Sequence, residues 1–201
     1  MDYYQKYQKY RFKYLNLLNQ SGGNKKSIND ITKLLYDPTN HEYDNTKDVI
    51  NIFEEFIKKD GLLLQHLDSN FRTNRMYKLA VKQNGCAIKY INSLIFDYVN
   101  ICKLAVQQSG FALEHVKTDT VIPFDYFNIC KLAVEKDGCA LEHVKTDKME
   151  SLYYFTVCEK AVNKNGLALE FVNKEKMNDT EYKNICDLAV KQNPDAIKYI
   201  K

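Results

Sequence analysis

The chain has 201 residues, of which 45% are hydrophobic, and carries 29 basic against 26 acidic groups, so it can build one core or one continuous array. No apolar run approaches the roughly 20 residues of a membrane span, and the N-terminus lacks an apolar h-region, so neither a spanning helix nor a secretory signal is expected. The charge is unevenly placed: residues 1–26 hold six basic residues and one acidic, while the other 175 hold 23 basic and 25 acidic. The body therefore lacks the positive field that a phosphate-backbone binder carries, and nucleic acid is not expected to bind there.

Residues 1–20 come first. Tyr3, Tyr7, Tyr10, Tyr14 and Leu17 recur at spacings of 4, 3, 4 and 3, with Lys6, Lys9, Arg11 and Lys13 off the seam. This predicts an aromatic–basic amphipathic helix, too short for a free coiled coil. Such a helix either docks on a protein, an anionic membrane or nucleic acid, or packs back on its own body. Its candidate docking residues are Tyr3, Lys6, Tyr7, Lys9, Tyr10, Lys13 and Tyr14. Ser21-Gly22-Gly23 then separates it from the rest, which makes Gly22 and Gly23 a candidate hinge and processing site. Residues 24–47 read as a capping helix and loop. Ser27 can cap it, Ile28, Ile31, Leu34 and Leu35 fall at helical spacing, and Pro38 ends it.

From residue 48 to 201 one pattern recurs six times. The clearest copies are YVNICKLAVQQSGFALEHVKTD (98–119) and YFNICKLAVEKDGCALEHVKTD (126–147). A column of Gly61, Gly85, Gly110, Gly138, Gly166 and Pro194 marks the copies, at spacings of 24, 25, 28, 28 and 28 residues. A fixed period of this size predicts a stacked-repeat protein. Before the column, Ile101/Cys102 and Ala105/Val106, with Tyr98, lie on one helical face, and the later copies repeat them. After it, Ala112, Leu113 and Val116 and their equivalents form a second, shorter helix. Asp60, Asn84, Ser109, Asp137, Asn165 and Asn193 precede the column, and all can cap a helix N-terminus. Proline suits the first helical position and cannot adopt a positive φ. The column is therefore expected to open the second helix, with glycine present for close approach. The fold expected is all-α: an α-solenoid of short helical hairpins, about six repeats of 24–28 residues, preceded by the amphipathic helix.

The chemistry-bearing residues follow the same period. Cys102, Cys130, Cys158 and Cys186 share one repeat position and Cys86 and Cys139 another, with no C-x-x-C pair, so they read as buried core thiols in a reducing compartment. His66, His115 and His143 share a slot with Tyr90, Phe171 and Tyr199, which asks for a flat ring rather than a metal ligand. Glu114, Glu142 and Glu170 share theirs with Gln65, Lys89 and Lys198, which fits a solvated face better than paired carboxylates. No phosphate loop, G-x-S-x-G or H-E-x-x-H is present, and the reading is non-enzymatic, without cofactor or metal. Beyond Ile197 and Ile200, either Lys198 and Lys201 suffice to end the array, or this C-terminal repeat meets a partner or a second copy.

The pattern in AVKQNGCAIKYI (80–91) and AVEKDGCALEHV (133–144) resembles an uncharacterised helical-repeat domain family abundant in giant, mimivirus-like DNA viruses. The opening YYQKYQKYRFKYLNLLNQSGG (3–23) resembles a Lys/Tyr-rich leader of such viral proteins that ends in Gly-Gly. Pro194 departs from the family's glycine. The resemblance implies a viral protein acting in the host cytoplasm or virus factory, and it supplies no catalytic residues. Three roles follow as expectations: a repeat scaffold that binds a protein partner, a structural component of the virus particle delivered by its leader, and nucleic-acid binding through that leader.

Overall fold

The computed structural model of the protein describes residues 46–67, 69 and 72–201. The leader with its docking residues, the Gly22-Gly23 hinge and the helix expected from Ser27 all lie outside these. Six α-helices follow in order: α1 (Thr46–Lys59), α2 (Asn74–Gln83), α3 (Tyr98–Gln108), α4 (Pro123–Lys136), α5 (Ser151–Lys164) and α6 (Asp179–Gln192). Each is followed after one residue by a six-residue helix: Gly61–His66, Gly85–Tyr90, Gly110–His115, Gly138–His143, Gly166–Phe171 and Pro194–Tyr199. Each pair is one repeat. Each α-helix packs on the next, and each short helix packs on the next short helix and the next α-helix. The architecture is an all-α solenoid.

The short helices are 3₁₀ rather than α. At three residues per turn, the Gly column and the residues three and six after it fall on one face. In the third repeat these are Gly110, Leu113 and Val116, and all three are buried. The N–H of Ala112 reaches Ser109 O at 2.9 Å and that of Val116 reaches Leu113 O at 3.1 Å, which closes both ends with i to i+3 bonds. Asp60, Asn84, Asp137, Asn165 and Asn193 accept a backbone N–H two residues on, as N-caps. Ser109 occupies the same position and makes no such side-chain bond.

The glycine column is explained by contact, not by backbone freedom. A Cβ built on Gly61, Gly85, Gly110, Gly138 or Gly166 would lie 2.3–2.6 Å from the carbonyl oxygen of Ala80, Ala105, Ala133, Ala161 or Ala189, in the α-helix of the next repeat. Both partners are backbone, and the alanines are fully buried. Pro194 is exposed, with no repeat stacked on it among the described residues. A Cβ there, as at the five glycines, would collide with the alanine carbonyl of a repeat stacked in the same way. In this repeat Ile197 and Ile200 are 65% and 48% exposed, whereas their counterparts in the other repeats are at most 9% exposed.

Two hydrogen-bond systems lock the repeats. The first uses the tyrosine that the periodicity places on the core face. The hydroxyls of Tyr98, Tyr126, Tyr154 and Tyr182 accept the backbone N–H of Lys117, Lys145, Asn173 and Lys201, always nineteen residues on, at 2.8–2.9 Å. The thiol four residues on, Cys102, Cys130, Cys158 or Cys186, is close enough to feel each hydroxyl, which lowers its pKa slightly against the effect of burial. One tyrosine thus ties the α-helix to the backbone that leaves the 3₁₀ helix. Tyr126→Phe should cost about 1–2 kcal/mol, because it strands the buried-side N–H of Lys145. Tyr182→Phe, at the open end of the array, should cost less. Urea titrations of the two variants check this, and equal losses would contradict it.

The second system runs between repeats. Gln83 and Gln108 accept the N–H of Gly61 and Gly85 at 2.7 Å, and Gln192 accepts that of Gly166. The amide of Gln83 returns a bond to Lys59 O at 3.1 Å. Lys136 and Lys164 fill the equivalent positions in repeats four and five. On the far side of each 3₁₀ helix, Lys117, Lys145 and Lys201 reach back to Ile91 O, Val116 O and Val172 O at 2.7, 3.0 and 3.1 Å. These lysines neutralise carbonyls at helix C-termini, where a cation is favoured.

Candidate interaction surface

The core cysteines sit where their period puts them. Cys102, Cys130, Cys158 and Cys186 are buried, and none of the six cysteines forms a disulfide. Burial pushes the thiols of Cys102, Cys130 and Cys158 up to about 12, against a smaller opposing contribution from the tyrosine hydroxyl. Thiols held neutral in this way are poor nucleophiles. Among the described residues, no three His, Cys, Asp or Glu side chains gather closely enough to hold a metal ion. No described helix is long and apolar enough to cross a membrane.

The 3₁₀ helices form one face of the solenoid. Its ring column, His66, Tyr90, His115, His143, Phe171 and Tyr199, is half-buried throughout. His143 takes Phe111 of the preceding repeat edge-on, with centroids 5.8 Å apart. Tyr90, Phe171 and Tyr199 of the same slot pack against the core. Glu114, Glu142 and Glu170 are exposed beside it, one per repeat. Their spacing follows the repeat and converges on no common point.

A second edge carries apolar residues that lie outside the core columns of the repeat. Here the first turns of α4 and α5 and the turns that lead into α3 and α4 come to the surface. Fourteen residues before the glycine column stand Phe96, Phe124 and Leu152, which are 106%, 56% and 67% exposed. Sixteen before it stand Leu94 and Ile122, 79% and 62% exposed. Large apolar side chains scattered singly on a surface are ordinary; five that recur at two column positions on three successive repeats are a periodic exposure. The signal for it in the sequence was the recurrence of Phe96, Phe124 and Leu152 at one repeat position off the core face. The columns end at Glu150, Asn178 and Thr180, all exposed and polar.

Stacked rings hold the patch together. Phe127 and Tyr153 stack with centroids 4.6 Å apart at 21°. Phe124 stands 6.4 Å from each, edge-on to Tyr153. Lys131 Nζ lies 5.7 Å above the Phe127 ring. Tyr153 interrupts a polar ladder. In the two preceding repeats the same position holds Asp97 and Asp125, each paired with a lysine one repeat back: Lys78 to Asp97 at 2.6 Å, Lys103 to Asp125 at 3.5 Å. The Lys78 ammonium, with help from the Asn100 and Asn74 amides, holds the Asp97 carboxyl below its ordinary range against the desolvation that opposes it. At repeat five the ladder gives way to aromatic packing. Asp97 and Asp125 are thus paired within the edge, while Lys131, whose acid partner Tyr153 replaces, lies over the Phe127 ring.

Residues 50–95 and again 76–119 match the family model described as a domain of unknown function (DUF4116). Each matched stretch takes in parts of two successive repeats, and the two overlap on the second repeat, so the matched unit is itself built from this helix pair. No curated protein and no solved structure matches the sequence significantly.

Proposed function

We propose that this chain is a non-enzymatic helical-repeat interaction protein, and that its body engages a protein through the edge formed by Leu94, Phe96, Ile122, Phe124 and Leu152. The observation that carries the reading is exposure. Five large apolar side chains stay in water beside the stacked Phe127 and Tyr153, on a scaffold whose inward apolar columns are almost completely covered. Aromatic anchors, neutralised charges and a polar rim are the makeup of the energetically dominant part of protein interfaces. The rigid repeat stack presents these anchors at fixed spacing with little ordering cost. The setting suggested by the resemblance to viral repeat proteins is the host cytoplasm or virus factory. The basic leader serves as the addressing element in this reading.

Photo-crosslinking inside cells tests the reading. A benzophenone amino acid placed at position 124 should yield protein adducts well above those from the same probe at exposed position 142, on the 3₁₀ face. Adducts to lipid or nucleic acid alone, or equal yields at both positions, would remove the edge as a protein-binding surface.

A further inference from the structure

We propose that the occupant of this apolar edge is a second copy of the chain, joined edge to edge about a two-fold axis near Phe124; this rests on the edge being a protein-binding surface at all. A two-fold contact uses the same patch on both subunits, so the patch must tolerate its own image. This one does. Phe124 sits in the middle repeat of the row, with Phe96 one repeat to one side and Leu152 one repeat to the other. Rotation about an axis at Phe124 brings it against its own copy and sets Phe96 against the partner's Leu152. The three positions are large, apolar and exposed, so the exchange puts like on like.

Charge is the second requirement. Two identical edges that carried net charge would repel, and like charges across an interface cost heavily. Asp97 and Asp125 point into the same edge, but each is held by a lysine of the preceding repeat. At the next repeat Tyr153 stands in place of an acid and stacks on Phe127. That replacement leaves Lys131 over the Phe127 ring with no ion pair among the described residues, and Glu150, of opposite sign, stands at the end of the row, so the acids of the edge are paired and its two remaining charges offset. Polar Glu150, Asn178 and Thr180 lie at one end of the row, as a rim does.

Area is the third requirement. Given their exposures and side chains of about 150–250 Å² for the aromatics, the five residues offer on the order of 700 Å² of surface per copy. Complete burial of these residues in two copies would remove about 1,400 Å² from water, inside the range of about 1,200–2,000 Å² typical of specific interfaces. The C-terminal face is a weaker candidate. It offers Ile197 and Ile200, and Pro194 blocks the close approach that repeat-on-repeat stacking uses there.

Sedimentation velocity on the purified full chain, across about a hundredfold range of concentration, reads the outcome. The expected result is a dimer whose dissociation constant rises at least about tenfold in Phe124→Asp and in Phe96→Ser. Both variants should keep the parent melting temperature of the monomer, because the replaced side chains are exposed. Ile197→Asp should leave the dimer intact. A strict monomer at every concentration overturns the proposal. So does a dimer that survives Phe124→Asp, or one lost only in Ile197→Asp. A monomer that still gives protein adducts from position 124 in cells overturns the dimer and leaves the interaction reading standing. A monomer without such adducts overturns both.

Discussion

Gly138→Ala will destabilise the array by about 3 kcal/mol or more, the upper end of what a single added methyl does in a packed core. The new Cβ would meet Ala161 O at 2.6 Å and Asn165 Cβ at 2.9 Å. Both atoms belong to the last turn of α5 or its cap, and neither can retreat without sliding one repeat against the next. Ala161 O already accepts the capping N–H of Asn165 at 2.9 Å, so the carbonyl cannot swing away without losing that bond. The comparison is Pro194→Ala, where no repeat lies above the site. There the change should stay within about 1 kcal/mol, set by the chain entropy that proline removes from the unfolded state. Urea unfolding of both variants at unchanged m-value measures the difference. A Gly138→Ala protein within about 1 kcal/mol of the parent would show that the corner has room to spare.

Alkaline pH will unfold the protein cooperatively, from about pH 9 upward. The cause is the row of paired tyrosines and cysteines. Cys102, Cys130 and Cys158 are raised from an ordinary value of 9.0 to about 12, chiefly by burial. Burial raises Tyr98, Tyr126 and Tyr154 as well. For such acids the folded state keeps protons that the unfolded chain releases. The stability they contribute is therefore whole below the unfolded thiol value and is lost as pH climbs through the window from 9.0 to about 12. By pH 11 each thiol should withdraw roughly 2–3 kcal/mol, and three together approach the whole stability of an ordinary domain. Thermal melts between pH 8 and about pH 11 measure the fall. In Cys130→Ala the number of protons released on unfolding near the middle of that window should drop by about one. A melting temperature that stays flat to about pH 11 would mean that water reaches the Tyr–Cys pairs.

How far the sequence alone led is clearest in the repeat corner. Spacing alone placed the glycine column at the start of the second helix, because Pro194 fits a first helical position and the preceding Asp, Asn or Ser fits a cap. Five of those six side chains do cap. The same column logic put Cys102, Cys130, Cys158 and Cys186 in the core and treated the His, Tyr and Phe slot as a place for rings. These inferences rest on local rules, and six copies test each rule repeatedly within one chain.

What the periodicity could not supply was everything that depends on how one repeat meets another. A three-residue period and a 3.6-residue period are hard to distinguish over six residues, so the 3₁₀ geometry emerged only from the bonds that close each short helix. Tyr98, Tyr126, Tyr154 and Tyr182 read as core aromatics, and their hydroxyls reach across nineteen residues to a backbone that the spacing leaves unplaced. The glutamine bonds to Gly61, Gly85 and Gly166 cross from one repeat to its neighbour. The apolar edge stayed hidden for the same reason. Phe124 and Leu152 sit in the first turns of their helices and Phe96 in the turn before its helix, where the helical wheel does not say which way a side chain points. Sequence fixes which residues recur, since period, caps and close-approach glycines are written along the chain. Whether a recurring apolar residue is covered or left in water is decided only by the stacking of one repeat on the next, because burial belongs to pairs of surfaces and not to positions.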